Sequence, residues 1–179
     1  MSRFPLIFPL MILAGCTNKQ PQSVPRPQAW PRLTEIPASY RAENGVMVND
    51  SAMVINGETE GWFDIVYPAY NVKINCTMTS VGSPTELREA IDNRLERLER
   101  NAAGAPGEMT EFTSDGNWGC LLMTTPAAVA TPVQFLATDS ISRLFSGTAV
   151  FSGKDMKADS VAPAVSVIER DLLYMLKEL

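Results

Sequence analysis

Hydrophobic and polar positions alternate with a period of two along much of the middle and end of the chain, and with a helical period in two places. Residues 46–55 are rich in β-branched side chains broken by Asn49-Asp50, which predicts a strand or bent hairpin ended by Asn56-Gly57. Residues 62–67 and 70–78 follow as extended segments on either side of Pro68. In the second, Val72, Ile74, Cys76 and Met78 alternate with Lys73, Asn75 and Thr77, the pattern of a strand with one wet face. Ser83-Pro84-Thr85-Glu86 then opens a helix: a serine cap, proline at the first helical position and glutamate three after the cap. Leu87, Ala90, Ile91, Leu95 and Leu98 form its apolar stripe, and Gly104 is its stop. Arg94, Arg97 and Arg100 lie along one edge among Glu96 and Glu99. Such mixed charges read first as a solvated helix face, with an anion site as the alternative.

Residues 109–113 and 118–125 flank Asp115-Gly116, a strong hairpin signal. After a loop bracketed by Pro126 and Pro132, residues 133–138 and 144–151 form two further strands turning through Asp139-Ser140. Ser160 is placed as the cap of a last helix whose Val161, Ala164, Val165, Ile168, Leu172, Met175 and Leu176 share one face. Strands, helix, four strands, helix: the order predicts an α+β domain, a mainly antiparallel sheet with two packed helices, over residues 41–179.

The start of the chain follows different rules. Arg3 precedes an apolar run over residues 4–13, about ten residues where a bilayer span needs about twenty. A charged start, a short apolar run and a small-residue exit describe a secretory signal over residues 1–15. Its exit, Leu13-Ala14-Gly15-Cys16, resembles the bacterial lipobox, which makes Cys16 the expected lipidation site and the new N-terminus. Residues 16–40 carry Pro21, Pro25, Pro27, Pro31 and Pro37 with hardly any periodic apolar pattern, the composition of an extended, semi-rigid tether. Trp30, Leu33 and Ile36 are too apolar for a pure spacer.

Removing residues 1–15 from the 179-residue chain leaves 164, enough for one core. The formal net charge of -5 argues against nucleic acid or an anionic lipid surface as partner.

Behind the lipobox, "PRPQAWPRLTEIP" (25–37), "GWFDIVYPAYNVKI" (61–74), "VATPVQFLATDS" (129–140) and "DSVAPAVSVIERDLL" (159–173) occur in an order that resembles the gliding motility lipoprotein GldD family. The resemblance implies an accessory lipoprotein of the Bacteroidota envelope, where gliding is coupled to type IX secretion. It implies no enzymatic activity, no cofactor and no catalytic residues, and partners that are other envelope proteins of the motility and secretion machinery. The absence of an acidic residue after Cys16 sets the expected address at the periplasmic face of the outer membrane rather than the inner membrane.

The residues themselves are consistent with a non-enzyme. The chain has no histidine, which removes the commonest general base and zinc ligand. No phosphate-binding glycine loop, Cys-x-x-Cys pair or acidic calcium loop is present. Lys154-Asp155 with Asp159, and Asp139 with Ser140, sit where turns and caps want short polar groups. An alternative class is a periplasmic lipoprotein binding a small ligand or peptide, in a cleft left by the helices and lined by Trp62, Tyr67, Tyr70 and Trp118. The competing expectation is that these aromatics fill core.

Two modifications are also expected. Asp50-Ser51-Ala52, Asp139-Ser140-Ile141 and Asp159-Ser160-Val161 resemble the Asp-Ser-apolar acceptor of this phylum's O-glycosylation, with Ser51 and Ser140 the candidates and Ser160 claimed by its helix. Cys76 and Cys120 are the thiols left once Cys16 is acylated. They are candidates for a disulfide in an oxidising compartment, or else two small core hydrophobes.

Overall fold

The computed structural model describes residues 39–153 and 156–179. Its centre is a seven-stranded, wholly antiparallel sheet flanked by one helix on each face. The strands are β1 (Tyr40–Glu43), β2 (Val46–Asn49), β3 (Met53–Asn56), β4 (Trp62–Tyr67), β5 (Val72–Ser80), β6 (Glu108–Thr113), β7 (Gly119–Thr124), β8 (Val133–Thr138) and β9 (Arg143–Phe151). The helices are α1 (Pro84–Ala102) and α2 (Ala158–Lys177).

The sheet order is β3-β4-β5-β9-β8-β7-β6, two meanders joined at the middle, where β5 and β9 pair along nine residues each. The long connection through α1 carries the chain from the centre to the far edge, and three short antiparallel steps bring it back. β1 and β2 form a separate hairpin, Tyr40 opposite Asn49 and Glu43 opposite Val46. The segment predicted as a strand or bent hairpin over 46–55 is therefore two strands that belong to different sheets. Asn49 and Asp50 break it, and Ala52 N–H bonds back to Asn49 O. Tyr40, read as the end of the tether, opens β1.

Strand alternation sends apolar side chains to both faces. One set, including Phe63, Ile65, Ile74, Phe135, Phe145 and Phe151, meets Val161, Ala164, Ile168, Leu172 and Leu176 of α2, with Val46 and Val48 of the hairpin in the same layer. The opposite set, Met123, Leu136 and Leu144, meets Leu87, Leu98 and Ala102 of α1. Two independent apolar layers explain why β8 reads as a continuous buried run rather than an alternation. Gly147 lies where the first layer is tightest: a Cβ there would sit 2.4 Å from the Phe135 ring.

Both helices start on polar devices. Ser83 Oγ accepts the Glu86 N–H at 3.2 Å, and Glu86 Oε2 accepts the Gly82 N–H at 2.9 Å. At the other end Ala103 and Gly104 turn into the left-handed region (φ 52° and 75°) as the predicted stop requires. The cap of α2 is Lys157 rather than Ser160. Ser160 lies three residues inside, where its Oγ accepts the Lys157 N–H and donates to Lys157 O.

Cys76 and Cys120 do point into the same buried layer, but both are free thiols and no bridge joins them. Between β5 and β7 lie β9 and β8, three strand spacings or about 14 Å, and a disulfide tolerates about 7 Å between Cα atoms. They are core hydrophobes. Burial pushes the Cys76 thiol well up and that of Cys120 up to about 11, so neither ionises at neutral pH.

Candidate functional site

Two features of the domain go beyond packing, one on each face of the sheet. On the α2 side the buried carboxylate of Asp171, its side chain 2% exposed, collects donors from three elements. Tyr40 Oη donates to Oδ1 at 3.0 Å, Asn49 Nδ2 donates to Oδ2 at 2.9 Å, and Arg170 Nη2 approaches Oδ1 at 3.1 Å. The Tyr40 ring also stacks on Tyr174 with centroids 4.1 Å apart. Burial, then the Asp171 charge, push the Tyr40 phenol up to about 12, and the same causes raise Tyr67 further. The carboxylate is enclosed and its oxygens are taken up by these donors. Its effect is to fasten the β1-β2 hairpin to α2.

On the α1 side the helix covers only part of the sheet. α1 lies over β7, β8 and β9, and the half formed by β3, β4 and β5 stays open. Pairing of Met53 with Val66, Ile55 with Asp64 and Trp62 with Thr77 puts these residues on that face, where Met53, Ile55 and Trp62 are 50%, 54% and 56% exposed. Between this open half and α1 runs a groove made of two cavities of about 280 and 480 Å³. They share Asn75, Thr77, Arg94 and Arg97. The cross-strand pairs Asn75–Thr148 and Thr77–Ser146 give the first cavity a floor of short polar side chains. Asp64 also lines the groove, and Lys73 pairs with it at 3.2 Å.

Arg94 is the residue that sequence reasoning misplaced. The inward stripe of α1 runs Leu87, Ile91, Arg94, Leu98, Asn101, while Leu95, assigned to the stripe, is exposed. Arg94 is half-buried; desolvation, then neighbouring Arg97, lower its pKa. Arg100 does sit on a solvated face, paired with Glu96 at 2.9 Å. Asp171 was missed altogether, although a carboxylate between Ile168 and Met175 on an apolar stripe is a readable signal.

The other sequence-derived candidates fall into place singly. Ser51 is in an exposed turn, its Oγ donating to Asn49 Oδ1 at 2.7 Å. Ser140 is exposed in the β8-β9 turn with φ 61°. Beside it Asp139 Oδ1 accepts the N–H groups of Ile141, Ser142 and Arg143. Burial acts to raise this carboxyl, but those bonds and the Arg143 guanidinium prevail and hold it well below the usual range. Asp139 is therefore spent on its turn. Tyr67 and Trp118 are buried, Tyr70 packs against Tyr67 with centroids 6.5 Å apart, and of the four aromatics only Trp62 reaches the groove. The two helices share no cleft, since the sheet separates them. Cys16, Trp30, Leu33, Ile36, Lys154 and Asp155 lie outside the described residues.

A family model described as gliding motility lipoprotein GldD matches residues 20–179, the whole domain and most of the segment before it. The chain belongs to the gliding motility lipoprotein GldD family. No curated protein matches it. Membership of GldD makes the chain a gliding motility lipoprotein, and a lipoprotein is held to its membrane by acyl chains on a cysteine. No helix among the described residues is long and apolar enough to cross a membrane, which fits that mode of attachment. Among the described residues no cluster of three or more Cys, Asp or Glu side chains is arranged to hold a metal ion.

Proposed function

We propose that this GldD family member is a non-enzymatic accessory component of the gliding motility and type IX secretion machinery, acting through contacts with other envelope proteins. It is anchored by acyl chains on Cys16, faces the periplasm, and sits in the outer membrane in preference to the inner. One observation carries the reading: half of one sheet face is left open, with Met53, Ile55 and Trp62 exposed on it. An uncovered apolar patch of this kind is the usual mark of an interaction surface. A small-ligand receptor is less well supported, because Tyr67 and Trp118 are buried in the core instead of lining a pocket.

The test is complementation of a deletion strain. Wild-type protein restores colony spreading and cargo secretion, whereas Ile55→Glu with Trp62→Glu, at normal abundance and with an unchanged melting temperature, does not. Full restoration by the double variant refutes the contact reading. Cys16→Ser, in turn, is expected to lose fatty-acid label and membrane fractionation; retention of both refutes the anchor.

A further inference from the structure

The groove beside α1 has a chemistry of its own. Among the described residues Arg94 and Arg97 have no hydrogen-bond or ion-pair partner; Arg88, Lys157 and Lys177 also lack a carboxylate partner but do not line the groove, and Arg41, Lys73, Arg100, Arg143 and Arg170 are each paired to a carboxylate. In a chain of formal net charge -5, two like charges left together and one of them half-buried are an unfavourable arrangement for the isolated domain. The charge inside the groove that would offset them, Asp64, is already taken by Lys73. An arriving anion would offset both.

The geometry narrows what that anion is. Arg94 and Arg97 stand three residues apart on a helix, so their stems begin about 5–6 Å apart. Alternate side chains on one side of an extended peptide are about 6.6 Å apart, twice the rise of a strand residue. The floor of Asn75, Thr77, Ser146 and Thr148 offers hydroxyl and amide groups to a peptide backbone. At its far end the groove meets Ile55 and Trp62, with Glu60 close by on the other side of Trp62. An apolar residue suits that end and a carboxylate does not.

We infer that the groove between α1 and the open half of the sheet binds an extended acidic segment of a partner protein. Two carboxylates at alternate positions face Arg94 and Arg97, and an apolar side chain lies on Ile55 and Trp62. The inference rests on the contact reading above and specifies its partner.

The test uses the full-length mature protein in nonionic detergent, probed with an array of randomised eight-residue peptides. Acidic residues at alternate positions with a neighbouring apolar residue are the expected enrichment. Affinity falls at least tenfold, or about 1.4 kcal/mol, when the carboxylates are replaced by glutamines or when the protein carries Arg94→Gln with Arg97→Gln. That double variant melts no lower than wild type, because it removes unpaired charge and no internal bond. Three results overturn the inference: no acidic enrichment, equal binding by the double variant, or displacement of the peptide by inorganic phosphate at peptide-like concentration, which marks a simple anion site. Failure here, with the Ile55→Glu/Trp62→Glu strain still defective, removes the acidic partner and leaves the contact surface. Success here with that strain fully restored removes the contact function instead.

Discussion

Replacing Asp171 by asparagine changes one atom and should cost the domain about 2–3 kcal/mol. The side chain is 2% exposed and accepts bonds from Tyr40 at 3.0 Å and Asn49 at 2.9 Å. Bonds to a charged acceptor contribute about 1.5–3 kcal/mol each and neutral ones about 1. The Arg170 arm adds little, because its side chain is 58% exposed and swings to water. Tyr40 can reverse its hydroxyl to accept from the new amide, but Asn49 is already committed, its Oδ1 accepting from Ser51 N–H and Oγ. Asp171→Ala strands the Asn49 amide and opens a void, which raises the cost to about 3–5 kcal/mol. Urea unfolding of the purified protein measures both. Hydrogen exchange should show β1 and β2 losing protection ahead of β4, β5 and β9, and Tyr40→Phe should be non-additive with Asp171→Asn. A loss under 0.5 kcal/mol for Asp171→Asn, or uniform loss of protection, would refute the view that one carboxylate holds the hairpin.

Gly147→Ala should destabilise by about 1–3 kcal/mol as overpacking, since its Cβ would lie 2.4 Å from a Phe135 ring that is 0% exposed; Phe135→Leu should restore part of the loss in a thermal melt. Tyr40, raised in the fold to about 12, and Tyr67, raised further, keep their protons longer folded than unfolded. Stability is therefore fully present below pH 10 and falls as pH rises from 10 towards 12, and a urea midpoint that stays flat between pH 9 and 11 would contradict this. Cys76 and Cys120 should resist Ellman's reagent until the protein is unfolded, and a native mass two hydrogens light would contradict their being free. Intact mass should show hexose on native protein that Ser51→Ala and Ser140→Ala remove, and an unmodified native mass would end that proposal.

Periodicity was a good guide wherever a segment had one wet face. The alternation of β4 and β5, the Asp115-Gly116 hairpin and the helix opening at Ser83 follow from local chemistry that tertiary packing had no reason to override. Packing between layers is not written in any one segment. Nothing in residues 46–55 says that Val46 and Val48 leave the sheet to pack under α2, because both destinations want β-branched residues. The placement of the helices on opposite faces is likewise invisible until β7, β8 and β9 are seen to be apolar on both sides. Cys76 and Cys120 were correctly phased to one layer, yet phase says nothing about how many strands lie between. Arg94 and Asp171 share a reason for having been overlooked: each is a charged residue on the buried stripe of a helix, where a pattern of apolar residues is filled in by expectation.

The knot around Asp171 also decides how the domain would carry load. A load that entered the fold at Tyr40, the first residue of β1, would peel β1 from β2 starting at the pair Tyr40–Asn49. Peeling a hairpin breaks its bonds in succession, the weakest way to load a sheet. Here both members of that first pair are tied to the same helical carboxylate. Tension is thereby handed to α2 and spread through the layer that α2 shares with the central strands, so the chain meets traction with its core before its hairpin gives way.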